Sequence, residues 1–433
     1  MPAPSESPLA ASSRSPISPD PTLLCATLST SRPPIHRDPQ LHRLWAAGML
    51  MSLIRWLEIL AFAVFTYEQT KSALWVASLM MLRMLPLSLF GLALGALASH
   101  MSRRTLLIAT HAVLFATCLV LLLISVFSTI AVWHLAVASF VGGLLWAGDM
   151  PLRRGLMADI AGQGRVLQAM SIDVVVNNSC RLLGPMLGGV LITHGGLLAV
   201  LLCASLFYLP VLGALFGVAD PPQPPDPADK PRLRERLLRG FEAARQSRPL
   251  QATLWVTMLF NLFGWPVLSM IPVIGRDQLH LDPQGVGLLA SLDGVGSLLA
   301  ALVLTSLATR LRNGPVYVGA VLGFMLLQVV FALSTYTVLT GAVLLAIGVA
   351  QAGFAVMQPT LVYATTPPDR RSDAMGLMTM CIGVAPLGFL AIGWLGNQLG
   401  APMAALICAL CGLVAMALSW PLCRECFRAT HQA

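Results

Sequence analysis

The chain has 433 residues, 56% of them apolar and 11% charged, with a formal net charge of +8. A soluble domain carries about 25% charged residues, so this chain lacks the polar cover that a water-facing surface of its size needs. An integral membrane protein is therefore expected, and disorder, nucleic-acid binding and a secreted disulfide scaffold are excluded for the bulk of the chain.

Residues 1–40 are rich in Pro and Ser and hold no sustained apolar run, which predicts a flexible tail and not a signal peptide. From Leu44 onward twelve apolar runs recur, at about 44–66, 74–98, 105–127, 129–150, 168–192, 197–218, 251–274, 286–308, 316–334, 337–358, 374–396 and 401–421. Each is long enough to cross ~30 Å of hydrocarbon, which takes ~20 helical residues. Lipid cannot satisfy exposed backbone groups, so each must be a helix. The expected fold class is an all-α integral membrane protein with twelve transmembrane helices.

The basic residues sort by connection. One set of connections holds Arg103 and Arg104, then Arg153, Arg154 and Arg165, then Arg310 and Arg312, then Arg370 and Arg371. With the termini and the long middle loop, this set carries 22 of the 27 basic residues, whereas the opposite set holds only Lys71 and Arg276. Positive charge marks the cytoplasmic side, so both termini are expected in the cytoplasm. The middle loop divides the chain six plus six. The expected layout is a tail at 1–40, six-helix bundles at 41–218 and 251–422, a cytoplasmic linker at 219–250 and a short tail at 423–433. The linker closes with a basic amphipathic stretch, Leu233 to Arg248, expected to lie on the membrane face.

The halves carry a weak internal repeat. Leu97-Ala98-Ser99-His100 matches Leu307-Ala308-Thr309-Arg310, Pro151 matches Pro359, and Ala169-Met170 matches Ala374-Met375.

Six ionisable residues fall at membrane depth: Arg55 and Glu58 in the first run, Arg83 in the second, Asp173 and Arg181 in the fifth, and Asp293 in the eighth. Each costs about 2.5–3.5 kcal/mol on insertion scales, so each is a candidate for function. Arg55 and Glu58 are three apart and can pair on one helix face. That pair is either a proton-coupling or substrate-anchoring device, with Glu58 the proton carrier, or a static neutral couple. Asp173, Asn177 and Arg181 form one polar stripe, read as structural or gating. Asp293 has no partner in its own run, though Arg276 in the adjoining outer connection is within reach of it, and is read as a proton carrier or a structural acid. Arg83 is expected to pair with an acid of another helix.

Asn261 lies beside Gly264 and Pro266, which predicts a broken helix of the kind that marks binding sites in transporters. Gln351 and Gln358 are seven apart and share a face. With Trp56 and Trp146 these three residues are candidates to line a cavity for an aromatic or amphipathic solute; the alternative is hydrogen bonding between helices. Gly184, Pro185, Gly188 and Gly189 predict close helix approach and a bend point. The cysteines read as packing residues. Cys423 and Cys426 form a lone CxxC with no second ligand pair, so no metal or other cofactor is expected.

The run GPMLGG at 184–189 resembles the antiporter motif of the major facilitator superfamily, with Ser171 and Cys180 in place of two earlier glycines. The stretch GALASHMSRR at 95–104 resembles that superfamily's signature loop, departing at Ser99 and His100 and keeping Arg103 and Arg104. YEQTKSA at 67–73, Pro151 with Arg154, Arg181 ahead of Gly184-Pro185, and PDRR at 368–371 are similar to the efflux branch that includes enterobactin and macrolide exporters. That branch often has Gly-Asp before the first-helix Trp; here Ile54-Arg55 stands there, and Asp373 replaces an expected basic residue.

The resemblance covers about residues 41–422. It implies a pseudo-symmetric transporter of the inner membrane, working as a monomer by alternating access and exporting a small organic solute in exchange for protons. Arg103, Arg104, Asp173, Asn177, Arg181 and the glycine run would gate it. Uptake of a small aromatic nutrient or vitamin such as riboflavin stays open, as does a membrane receptor without transport. No GxSxG, HExxH or paired-aspartate motif lies at membrane depth, so an enzyme is not expected.

Overall fold

The computed structural model describes residues 35–97, 102–162, 164–220, 233–307 and 312–431. Every regular element among them is helical. Ser99, His100 and most of the 1–40 tail, with part of the linker, lie outside the described residues.

Helix α1 spans Pro39–Thr70. The Asp38 carboxylate accepts from the Gln40 amide at 3.2 Å, and Pro39 occupies the first turn, where its missing N–H leaves no bond unmade. α2 spans Ala73–Leu97, α3 Arg103–Phe127 and α4 Val132–Ala161. Ser102 caps α3 by accepting from the Thr105 amide at 3.1 Å.

The next helical run, Val166–Phe216, has 51 residues. At 1.5 Å per residue it extends about 76 Å, more than twice the hydrocarbon thickness. It is two helices, α5 (166–195) and α6 (197–216). They are separated by Gly196, whose φ of 63° is open to glycine and strained for other residues. Eleven continuous stretches are long and apolar enough to cross a membrane. Because one of them holds two helices, the described residues make twelve crossings.

α7, Leu233–Gln246, packs Ala243 and Ala244 against Ala374 and Leu377 while Leu238 and Phe241 stay exposed. The seventh crossing is broken, as its Gly and Pro content predicts. α8 (Arg248–Leu259) passes into a π turn at Phe260–Gly264 and a 3-10 turn at Trp265–Met270, then into α9 (Ile271–Asp277). Pro266 and Pro272 remove two backbone donors there and force the change of pitch. α10 (Pro283–Leu307), α11 (Asn313–Leu333) and α12 (Thr337–Thr365) follow. α13 (Arg371–Ile382) and α14 (Ala385–Leu399) make one crossing interrupted at Gly383, and α15 (Ala401–Leu418) is the last.

Small residues set the closest approaches. A β-carbon on Gly188 would lie 3.0 Å from the Leu57 carbonyl oxygen of α1, and one on Gly189 would lie 2.7 Å from the Pro283 carbonyl oxygen of α10. A β-carbon on Gly294 of α10 would lie 2.7 Å from the Leu182 amide. α5 is therefore held backbone to backbone against α1 on one side and α10 on the other. α2 and α14 form a similar seam at Ala77 and Gly393.

Beyond α15, Cys423 and Cys426 are fully buried. Burial pushes the Cys426 thiol up to about 12, so it stays protonated and packs as a small apolar group.

Candidate functional site

A cavity of about 160 Å³ lies where these seams meet. α1 contributes Arg55 and Trp56, α2 Arg83, α4 Trp146 and α5 Arg181 and Pro185. The 3-10 turn contributes Trp265 and Ser269, α10 Asp293 and α14 Phe389. The pitch change after Gly264 turns Trp265 and Ser269 onto the cavity wall. The remaining lining is aliphatic, with Ile59, Ala63, Val76 and Leu268 among it.

The charged groups make their partners across helices. Arg83 Nη2 donates to Glu58 Oε2 at 3.2 Å, so α2 neutralises the α1 carboxylate. The expected Arg55–Glu58 pair does not form. Arg55 turns toward α5, where its Nη2 donates to Asn177 Oδ1 and to Ser52 Oγ, each at 3.2 Å. The reason is competition: Arg83 reaches Glu58 from the facing helix, and the polar stripe of α5 offers Arg55 an amide acceptor.

Asp293 is paired with Arg181, whose Nε donates to Oδ2 at 3.0 Å and whose Nη2 also bonds that oxygen. Arg276, the partner expected from the adjoining connection, instead pairs with Glu68 at 3.0 Å. The Arg181–Asp293 bridge follows from the Gly294 contact, which brings α5 and α10 together at that depth. Arg181 Nη2 also donates to Gln351 Oε1 on α12.

The stripe on α5 thus binds four neighbouring helices in turn. Asp173 takes Arg153 and, at 3.3 Å, Arg154 of α4; Asn177 takes α1; Arg181 takes α10 and α12. Aromatic rings fill between the cations. The Arg181 guanidinium lies 5.2 Å from the Trp56 ring centroid, and that of Arg55 lies 6.0 Å from Trp56 and 5.3 Å from Trp146, distances at which cation–π attraction operates.

Asn261 and Gln358 do not line the cavity. Gln358 Nε2 donates to Thr257 Oγ1 at 3.1 Å, Asn261 Nδ2 donates to the Thr257 carbonyl at 2.9 Å, and Thr257 Oγ1 lies 2.9 Å from the Tyr317 hydroxyl. They form a buried polar knot joining α8, α11 and α12. Gln351 touches the cavity only through Arg181. Among the glycine run, Pro185 lines the wall while Gly184, Gly188 and Gly189 serve the seams. Arg103 pairs with Asp159 at 2.6 Å, and Arg104 donates to the Phe216 carbonyl at 2.6 Å, joining α3 to the ends of α4 and α6.

A family model for transmembrane secretion effectors matches residues 30–427, nearly the whole chain and every helix described above. The chain belongs to this family of the major facilitator superfamily. It is a multi-pass membrane transporter. It is 25% identical over 406 residues to the uncharacterised transporter YfiS of Bacillus subtilis, covering 89% of this chain and 93% of that one. Macrolide efflux protein A of Streptococcus pyogenes is 22% identical, covering 61% of this chain and 65% of its own. The enterobactin exporter EntS of Shigella flexneri is 26% identical, covering 53% and 55%. The fold is also that of a bacterial homologue of the lysosomal transporter Spinster, with a TM-score of 0.69 at 13% identity over 91% of this chain and 98% of that one.

The transporter holds further groups that the sequence reading did not single out. A smaller chamber of about 30 Å³ adjoins the cavity, lined by Glu58, Asp149 and Tyr208, with Arg55, Arg83 and Trp146 shared between the two. Asp149 lies 3.4 Å from His111 and 3.9 Å from Arg153, all buried. Their signal in the sequence was the same as for Glu58, an ionisable group inside an apolar run, but Asp149 falls at the end of its run. At the opposite end of the cavity, Tyr67 donates to Asp277, Glu68 pairs with Arg276, and Ser72 donates to Asn397 at 2.9 Å. These contacts tie the α1–α2 connection to α9 and α14.

Proposed function

We propose that the transporter exports a small organic solute across the inner membrane by alternating access, in exchange for protons. The observation that carries this reading is the pairing of a solute-sized cavity with a buried, singly paired carboxylate, Glu58, in the chamber next to it. Arg83 lines both spaces, so a change in the charge of Glu58 alters the electrostatics of the cavity wall directly. Efflux is supported by the relatives, two of which are named for the export of macrolides or enterobactin.

Basic residues crowd the connections on one side, which supports cytoplasmic termini. With that orientation, the Tyr67–Asp277 and Glu68–Arg276 contacts seal the cavity from the outside. Two six-helix halves, 41–218 and 251–422, then rock about the α5–α10 and α2–α14 seams, where small residues give smooth surfaces. Asp293, bridged to Arg181 across the first of these seams, senses their relative position and serves as a second site for a proton. Arg103 and Arg104 brace the inner end of the first half.

Purified protein in liposomes, given a pH gradient, tests the reading. Solute movement should follow the gradient in the natural protein and lose that dependence in Glu58→Gln, with the variant still folded. Movement that responds equally to the gradient in both proteins overturns it.

A further inference from the structure

One cation on the cavity wall makes no ion pair. Glu58 neutralises Arg83, and Asp293 neutralises Arg181. Asp173 takes Arg153 and the part-exposed Arg154, and Asp149 stands 3.9 Å from Arg153 and 3.4 Å from His111. Arg55 remains. Among the described residues its side chain meets only the neutral oxygens of Ser52 and Asn177 and the faces of Trp56 and Trp146. A guanidinium stays charged at any physiological pH, so the cavity wall presents one cation with no carboxylate in contact with it, the charge of Asp149 in the adjoining chamber acting on it from beyond hydrogen-bond distance.

The hydrogen-bonding groups lean the same way. Trp56 Nε1, Trp146 Nε1 and Arg83 Nε are buried donors with no acceptor, against one unsatisfied acceptor in the lining, Asp293 Oδ1. Buried donors are seldom left unpaired, and such groups call for an explanation. Here an acceptor-bearing ligand supplies one. The rest of the wall is indole, phenyl and aliphatic surface, which suits a flat apolar body.

We propose that the cavity selects an aromatic monoanion, an apolar ring system bearing a single carboxylate or comparably acidic group. Arg55 holds the anion, and Trp56 and Trp146 flank the ring. Anion and proton then travel on separate halves of an exchange cycle. Export of a monoanion is then driven by the inside-negative potential as well as by the pH gradient. The inference rests on the transport reading above for its direction, but the charge selectivity of the site is testable without it.

The test uses the full chain and three probes on one scaffold: 2-naphthoate, 2-naphthalenemethanol and protonated 2-naphthylmethylamine. Titration calorimetry on the natural protein should give binding of 2-naphthoate at least about tenfold tighter than of the alcohol, with the ammonium weakest, as expected where a desolvated charge meets its complement. Arg55→Gln should weaken naphthoate about a hundredfold, the scale of loss when one partner of a buried charge pair is truncated, while Arg55→Lys keeps the order of the three. Equal binding of all three, preference for the ammonium, or no binding of any overturns the proposal on the natural protein alone. Naphthoate binding unaffected by Arg55→Gln overturns the role of Arg55. Selective binding with no gradient-linked movement in liposomes leaves the anion site standing and removes the transport reading; gradient-linked movement of all three probes alike does the reverse.

Discussion

Glu58 and Arg83 face each other across the α1–α2 interface at 3.2 Å, with side chains only 12% and 7% exposed. Each is the other's ion-pair partner at membrane depth. Arg83→Met alone strands a buried carboxylate and should lower stability by about 3–5 kcal/mol, whereas the double change Arg83→Met with Glu58→Leu should recover most of that loss. Thermal unfolding of the two purified variants checks the difference. A double variant no more stable than the single would show that the pair is not the relevant unit.

The α5–α10 seam has no room for a side chain. A β-carbon on Gly287 would lie 2.9 Å from the Gly189 α-carbon, whereas one on Gly319 of α11 meets nothing within 4 Å. Gly287→Ala should therefore destabilise by about 1–3 kcal/mol through overpacking. Gly319→Ala should be neutral or stabilise by up to about 1 kcal/mol, since alanine is the better helix former. Unfolding midpoints of the two variants decide this, and a Gly287→Ala protein as stable as the natural one would contradict the packing.

The contacts of Tyr67 with Asp277 and of Glu68 with Arg276 close one end of the cavity. Partly exposed ion pairs are worth about 0–1 kcal/mol each, so the closure is a light latch. Tyr67→Phe combined with Glu68→Gln should raise the labelling rate of a cysteine placed at Ala63, on the cavity wall, by roughly two- to tenfold, the ratio that 0.4–1.4 kcal/mol sets. An impermeant maleimide on intact cells reads that rate; no change would mean that other contacts hold this end shut.

Cys426 is fully buried, with its thiol pushed up to about 12 by burial. At pH 8 only about one part in ten thousand is thiolate, the reactive form. Native protein treated with iodoacetamide at pH 8 should leave Cys426 unmodified, and denatured protein should modify it fully. Peptide mass spectrometry resolves the site, and rapid native labelling would refute the packing role.

Much of the architecture was legible in the chain because lipid imposes a simple rule. Backbone groups must be satisfied within each crossing, so apolar runs separated by polar connections count the helices directly. The break between the fifth and sixth runs fell at Gly196, and the broken seventh crossing announced itself through Gly264 and Pro266. The site was legible as a set of residues and not as a set of contacts. Arg55, Glu58, Arg83, Arg181 and Asp293 stood out because charge inside an apolar run is costly. Their partners did not, since helical spacing describes only neighbours on the same helix.

The sequence by itself therefore determined twelve helices, their breaks, and which buried groups need an answering charge or dipole. Only the tertiary structure decided the answers: Glu58 to Arg83, Arg55 to Asn177, Asp293 to Arg181, and Gln358 and Asn261 to Thr257, away from the cavity. These choices depend on which helices touch at which depth. Backbone contacts at Gly188, Gly189 and Gly294 set that depth, and no periodicity within a single helix encodes it.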